Sequence, residues 1–216
     1  MTELVIKGAL AYLLGSVMGS LLIAQLTGGV DIRSLGSGNA GATNALRTQG
    51  TKVALGVLAI DLAKGWLATG WLAALALPAI APAEPELRAW CAPVCGIAVM
   101  LGHVYPLWYG FRGGKAVATL IGAVLGIHAA LLIPMILTWV VVVLLTGFVG
   151  LGSMLGAVAL AVAIALKGSG APLLTFGIAA ALVILFTHRS NIARMRAGTE
   201  SRARRLWLFR ARGGPA

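Results

Sequence analysis

Charge is what this chain has least of. Charged residues make up 11% of its 216 positions, against about 25% in a typical soluble domain. Only six are acidic. No acidic cluster exists to hold Mg²⁺, which weighs against phosphotransferases that act on nucleotide-diphosphate lipids. Cysteine is nearly absent too. Cys91 and Cys95 are the only two, and they fall four apart on one predicted helix. That spacing fits a disulfide poorly, so both read as small buried apolar residues with no redox role. No Cys/His set suits zinc, and neither a metal nor any other cofactor is expected. An internal repeat, a low-complexity linker and a polar segment long enough for a second domain are also missing. Residues 1–216 therefore read as one polytopic domain.

What the chain has in quantity is apolar length. Hydrophobic residues make up 59% of it and mean hydropathy is +0.94. A spanning helix needs about 20 mostly apolar residues, and most of the chain divides into such runs. The fold class is an all-α integral membrane protein with seven transmembrane helices, at about 4–26, 53–77, 87–105, 115–127, 129–148, 150–167 and 171–190. The fourth is short for a full crossing, and few breaks separate it from the fifth. The first run is too long for a signal-peptide core and lacks a basic n-region and an A-x-A site, so it reads as a span.

The formal net charge is +11, and its placement matters more than its size. Eight of the 17 basic residues lie between Arg189 and Arg212, just after the last apolar run. Anionic lipid headgroups and topology explain such a tail better than nucleic acid does. With the N-terminus outside, thirteen basic residues fall inside. They are Arg33, Arg47, Lys52, Arg112, Lys115 and the eight of the tail. Only Lys7, Arg88 and Lys167 fall outside, and Lys64 is within a helix. The positive-inside rule supports that orientation, with a cytoplasmic C-terminus and the loop at 81–86 outside. Four polar islands then share the cytoplasmic end of the bundle: 34–47, 102–119, 150–154 and 187–200. Convergent polar groups on one face are what an active site requires.

The first island is a fourteen-residue loop of glycines and small polar residues that closes on Arg47. Ser37, Asn39, Thr43 and Asn44 are neutral hydrogen-bonders, and Arg47 is a fork for phosphate or carboxylate. A helix cap would need one such residue, not four. In the second island, Gly113, Gly114 and Lys115 open a predicted helix. They fit an anion at a helix start, or equally a basic inner loop whose glycines allow helices to pack. The Walker A pattern fails, because Ala116 follows the lysine and Tyr109 stands where the first glycine belongs. His188 sits three residues before Asn191 on a shared face and is the candidate for proton chemistry, or else an interfacial hydrogen-bonder. His103 precedes Pro106, where it can simply hold the loop. Asp61 and Lys64 lie inside the second span at a spacing that lets them neutralise each other, and they read as a structural pair. The His-x4-Asp dyad of many glycerolipid acyltransferases is absent, since Trp108, Ile133 and Ala193 stand five residues after the three histidines.

Taken together, GSGNAGATNALR, GHVYPLWYGFRGGKAVAT and HRSNIARMRAGTE resemble the three signature motifs of the bacterial acyl-phosphate:glycerol-3-phosphate acyltransferases, the PlsY family. Order, spacing and length agree over nearly the whole chain. The resemblance implies transfer of a fatty acyl group from acyl phosphate to the 1-hydroxyl of sn-glycerol 3-phosphate. It also implies a bacterial inner-membrane location, a cytoplasmic active site and the first step of phospholipid synthesis. By the same resemblance Ser37, Arg47, His188 and Asn191 are catalytic. Asn39, Thr43, Asn44, Gly113, Gly114, Lys115, Ser153 and Glu200 bind substrate. The expected partners are the two substrates and membrane lipid, with no nucleic acid and no obligate protein partner. This sequence departs from the usual Gly-Gly-Lys-Gly run at Ala116, and has Arg112 where lysine is frequent. The alternative is a small membrane transporter of an organic phosphate. Against it, transporters place sites near the midplane and often carry inverted repeats.

Overall fold

The computed structural model describes residues 1–77, 84–204 and 206–209. Part of the expected outer loop, residues 81–83, lies outside the described residues, as do Arg205, Arg210 and Arg212 of the basic tail. Among the described residues the chain is helical with no strand. In a bilayer each backbone N–H and C=O must find its partner inside the segment, and a helix does that.

Helix α1 (Thr2–Gly15) and α2 (Gly19–Thr27) are two arms of the first apolar run, bent by 48°. The bend frees carbonyls that lipid cannot satisfy. Lys64 reaches across and donates its ammonium to Gly15 O at 2.9 Å and Val17 O at 2.7 Å. A short helix, α3 (Ala42–Thr48), follows the first polar loop. Helix α4 (Thr51–Trp66) continues through a π-helical stretch to Leu72. A single turn, α5 (Pro85–Arg88), leads into α6 (Cys91–Val104), where both cysteines are buried as free thiols. Helix α7 (Val117–His128) and α8 (Leu132–Thr146) form one 30-residue helical run. It is interrupted at His128, whose backbone is extended (φ −165°, ψ 97°). Next come α9 (Val149–Leu166), α10 (Gly170–Thr187) and the amphipathic α11 (Arg189–Arg196).

Among the described residues, five helical runs are long and apolar enough to cross a membrane, or six if the bent α1–α2 pair counts as one span. Each of the seven expected spans overlaps helix, but seven exceeds the five or six that length and composition support. The fourth and fifth are the two arms of the α7–α8 run.

The bundle is held by backbone-close crossings. A Cβ at Gly65 of α4 would collide with the Thr119 carbonyl of α7, and one at Gly122 of α7 with the Leu62 carbonyl of α4. Gly15 and Gly102 bring α1 and α6 equally close. Small residues at such crossings are how membrane helices gain dispersion contact without a hydrophobic drive. On the other side of α6, its buried Met100 packs with Leu120 of α7, Leu160 and Ile164 of α9, and Phe176 and Ile184 of α10. Large apolar residues such as Leu55, Trp66, Ile133, Leu137, Leu182 and Phe186 remain exposed, as lipid contact requires. The close α4–α7 crossing sets the start of α7 beside α4, and the polar cavity lies there.

Candidate active site

The first polar loop is shaped by one buried amide. Asn44, 1% exposed, accepts from the Ser37 N–H at 3.0 Å and donates to Leu35 O at 2.9 Å and Ile32 O at 3.2 Å. Gly36 turns the chain beside it with φ +55°, where a Cβ would collide with the amide oxygen. Ser20 of α2 ties the loop down through Ala40 O at 2.9 Å. Arg33 then bridges this loop to the second island. It is paired with Asp31 at 2.7 Å and donates to the carbonyls of Tyr109 and Arg112, each at 3.0 Å. Arg112 thus enters through its carbonyl. Asn44 is occupied with the loop itself, which leaves Ser37, Asn39, Thr43 and Arg47 as the loop's polar groups facing open space.

Gly113 and Gly114 do not line the cavity. Their N–H groups bond to Val104 O and His103 O at the end of α6, both at 3.1 Å. A side chain at Gly114 would run into the His103 ring. The packing alternative for these glycines is the one their geometry fits. They lay the chain against α6 so that Lys115 emerges into the cavity. Ala116 follows with φ +61°, buried, at the entry to α7. A left-handed conformation costs alanine about 1–2 kcal/mol, while the extra chain freedom of glycine costs about 0.5–1 kcal/mol. We therefore expect Ala116→Gly to raise stability by up to about 1.5 kcal/mol, read by unfolding in detergent. A stability lowered by about 0.5–1 kcal/mol, the cost of glycine alone, would show that the position carries no strain.

The third island is a chain of contacts that ends on that lysine. Arg194 Nε donates to Glu200 Oε2 at 2.6 Å, and Asn191 Nδ2 donates to Glu200 Oε1 at 2.6 Å. Asn191 Oδ1 accepts from Lys115 Nζ. Gly198, with φ +70°, turns the chain so that Glu200 comes back over α11. Beyond it Ala203 N–H, Trp207 Nε1–H and Leu208 N–H cap the last carbonyls of α8, on Gly147 (2.7 Å), Leu145 (3.1 Å) and Leu144 (3.0 Å). Buried His188 donates Nδ1–H to Ile184 O at 2.8 Å, which leaves Nε2 as an acceptor. His188 lies just past the span that ends at Thr187. Burial, and then the Lys115 charge, push its pKa down to about 4, so the ring is neutral. Lys115 precedes the span that starts at Val117. Burial first, and then the Arg194 charge, push its pKa down to about 8.

These segments enclose a cavity of about 570 Å³. One wall carries Ser37, Asn39, Thr43, Asn44 and Arg47. Facing groups come from Lys115, Ser153 of α9, His188, Asn191, Arg194 and Glu200. Leu58, Ile121, Trp139 and Val149 supply an apolar wall. Two further residues, Asp61 and His103, also line it. The expected Asp61–Lys64 ion pair forms at 3.0 Å, but it borders the cavity rather than standing apart from it.

A family model described as glycerol-3-phosphate acyltransferase matches residues 5–198. The chain belongs to the glycerol-3-phosphate acyltransferase family. A family member from Synechococcus sp. (strain CC9902) is 37% identical, covering 90% of this chain and 92% of its own. One from Bordetella pertussis is 40% identical over 89% and 88%. Both carry the name glycerol-3-phosphate acyltransferase. Among solved structures, PlsY (YgiH) is described as an integral membrane glycerol 3-phosphate acyltransferase. In its glycerol 3-phosphate form it superposes with a TM-score of 0.81 at 32% identity, covering 92% of this chain and 94% of its own. Its lysophosphatidic acid form gives 0.79. The chain is thus a multi-pass membrane protein of the glycerol-3-phosphate acyltransferase family. The family match stops at residue 198, although Glu200 and Ser201 also line the cavity.

Sequence reasoning missed Asp61, His103 and Arg194 as cavity residues. For Asp61 a signal was available, because an ionisable group inside a span is functional by default. His103 and Arg194 gave none that separates them from loop and tail residues.

Proposed function

We propose that this protein transfers a fatty acyl group from acyl phosphate to the 1-hydroxyl of sn-glycerol 3-phosphate, at the cytoplasmic face of a bacterial inner membrane. The products are lysophosphatidic acid and inorganic phosphate, and the reaction opens phospholipid synthesis. The observation that carries the reading is the composition of the cavity. Arg47, Lys115 and Arg194 line it together with an apolar wall of Leu58, Ile121, Trp139 and Val149. Cations suit the phosphates of both substrates, and the apolar wall suits the chain of a lipid donor.

The chemistry asks little of the protein beyond placement. The glycerol oxygen attacks the acyl carbonyl, the C–O bond to phosphate breaks, and phosphate leaves with the electron pair. An acyl phosphate has a good leaving group, so positioning and charge stabilisation supply most of the acceleration. Arg47 and Lys115 neutralise the phosphates. Asn191 and Glu200 hold Lys115 in place, and Ser37 and Thr43 offer hydroxyls to the polar ends of the substrates. The hydroxyl proton passes to the free Nε2 of His188 or to a substrate phosphate oxygen. This scheme draws on no metal or cofactor.

Purified protein in detergent, given palmitoyl phosphate and glycerol 3-phosphate, should release lysophosphatidic acid and phosphate in equal amounts. Palmitoyl-CoA in parallel should give neither. Well-folded protein that forms no product from palmitoyl phosphate would refute the donor and the reaction together.

A further inference from the structure

The least satisfied polar group at the cavity is Asp61. Its residue is 1% exposed, and Lys64 Nζ stands 3.0 Å from Oδ1. That ammonium is already spent. Its partners are Gly15 O at 2.9 Å, Val17 O at 2.7 Å and His103 Nδ1 at 2.9 Å, and an ammonium has three protons to give. An ammonium can only donate, so His103 Nδ1 is assigned as its acceptor and the ring proton to Nε2. Nδ1 therefore has nothing to donate to Asp61 Oδ1, 3.5 Å away. Asp61 Oδ1 is left buried with a cation beside it and no hydrogen-bond donor. Native structures rarely leave such an oxygen without a purpose.

The other carboxylate of the cavity is in a different position. Glu200 is engaged by Asn191 and Arg194, at 2.6 Å each. Asp61 is thus the cavity carboxylate with acceptor capacity to spare. A phosphate is repelled by it and drawn to Arg47, Lys115 and Arg194. A hydroxyl is a neutral donor and suits it. A phosphorylated polyol offers both groups, a phosphate for the cations and hydroxyls for the carboxylate.

We infer that Asp61 accepts a hydrogen bond from a hydroxyl of the acceptor substrate, so that the cavity selects a polyol phosphate over a plain alkyl phosphate. His103 and Lys64 act through Asp61 as positioning residues, fixing the carboxylate by charge while leaving its oxygen free. The inference rests on the acceptor being glycerol 3-phosphate, as proposed above.

The test compares binding of glycerol 3-phosphate with that of n-propyl phosphate, which keeps the phosphate and lacks both hydroxyls. The native protein should prefer glycerol 3-phosphate by between about tenfold and a hundredfold, as a hydrogen bond to a charged group provides. Asp61→Asn, and the charge-balanced pair Asp61→Asn with Lys64→Gln, should bring that ratio close to one, with n-propyl phosphate bound at least as tightly as before because a repelling charge is gone. A purely structural ion pair would weaken both ligands together and leave the ratio standing. Retention of the native ratio in either folded variant overturns the inference. If neither variant folds, the native ratio decides, and a value near one overturns it. Failure of both phosphates to bind the native protein would instead refute the proposed acceptor. A further probe, 3-hydroxypropyl phosphate, lacks only the 2-hydroxyl. Loss of its discrimination in Asp61→Asn assigns the bond to that hydroxyl, and a fall in turnover on both acceptors assigns it to the reacting one.

Discussion

Arg47→Ala should reduce kcat/KM for glycerol 3-phosphate by about 10²–10³-fold, equivalent to about 3–4 kcal/mol of lost stabilisation. The residue closes the first polar loop and sits in the last turn of α3. Its side chain is exposed and lines the cavity. Among the described residues it has no hydrogen-bond or ion-pair partner, unlike Arg33 with Asp31 and Arg194 with Glu200. Its donors are uncommitted, so the fold does not depend on them. The variant should unfold at the same temperature as the parent while losing turnover. Arg47→Lys keeps the charge but not the planar fork that grips two phosphate oxygens, and should recover only part of the loss. Phosphate release in detergent measures all three proteins. Normal turnover in Arg47→Ala would remove the residue from the site.

The second large effect is at Lys115, where it also appears as pH dependence. Its pKa is pushed down to about 8 by burial and by the charges of Arg194 and Arg47, with Glu200 opposing. A lysine is cationic below its pKa, so the charge that meets phosphate is present at neutral pH and lost as pH rises through about 8. We expect kcat/KM for glycerol 3-phosphate to fall along that limb. The second ionisation of a phosphate monoester, near pH 6, is already complete there and does not produce the fall. A bound dianion favours the protonated amine, so the limb for kcat should lie at higher pH than that for kcat/KM. Lys115→Arg removes the limb because its guanidinium stays charged. Lys115→Met should cost about 10²-fold or more at pH 7. A flat profile in the parent protein would mean that Lys115 does not meet the substrate phosphate.

Legibility in the sequence followed the length scale of each interaction. The apolar runs were readable because burying a backbone in lipid forces about 20 apolar residues in a row. Ser37, Asn39, Thr43, Arg47, Lys115, Ser153, His188, Asn191 and Glu200 were readable as polar islands between those runs, and all of them line the one cavity. Asn44 lines it too but serves the loop. Gly113 and Gly114 show where reading by residue type reaches its limit. A glycine pair before a lysine is written the same way whether its N–H groups face an anion or, as here, the carbonyls of α6. Asp61 is the converse case. Its spacing from Lys64 predicts the ion pair, but not that Gly15, Val17 and His103 use up the ammonium first.

By itself the sequence determined the helical membrane fold, the positions of the polar islands and the resemblance to a family of acyltransferases. Hydropathy and short motifs are local properties, and residue order records them. Only the tertiary structure decided which polar atoms are already partnered. That depends on contacts between segments far apart in the chain, such as Lys64 with Gly15 or Lys115 with Asn191. Arg47 is left free by these contacts, Lys115 is held, and the Asp61 carboxylate remains at the cavity with an oxygen to offer.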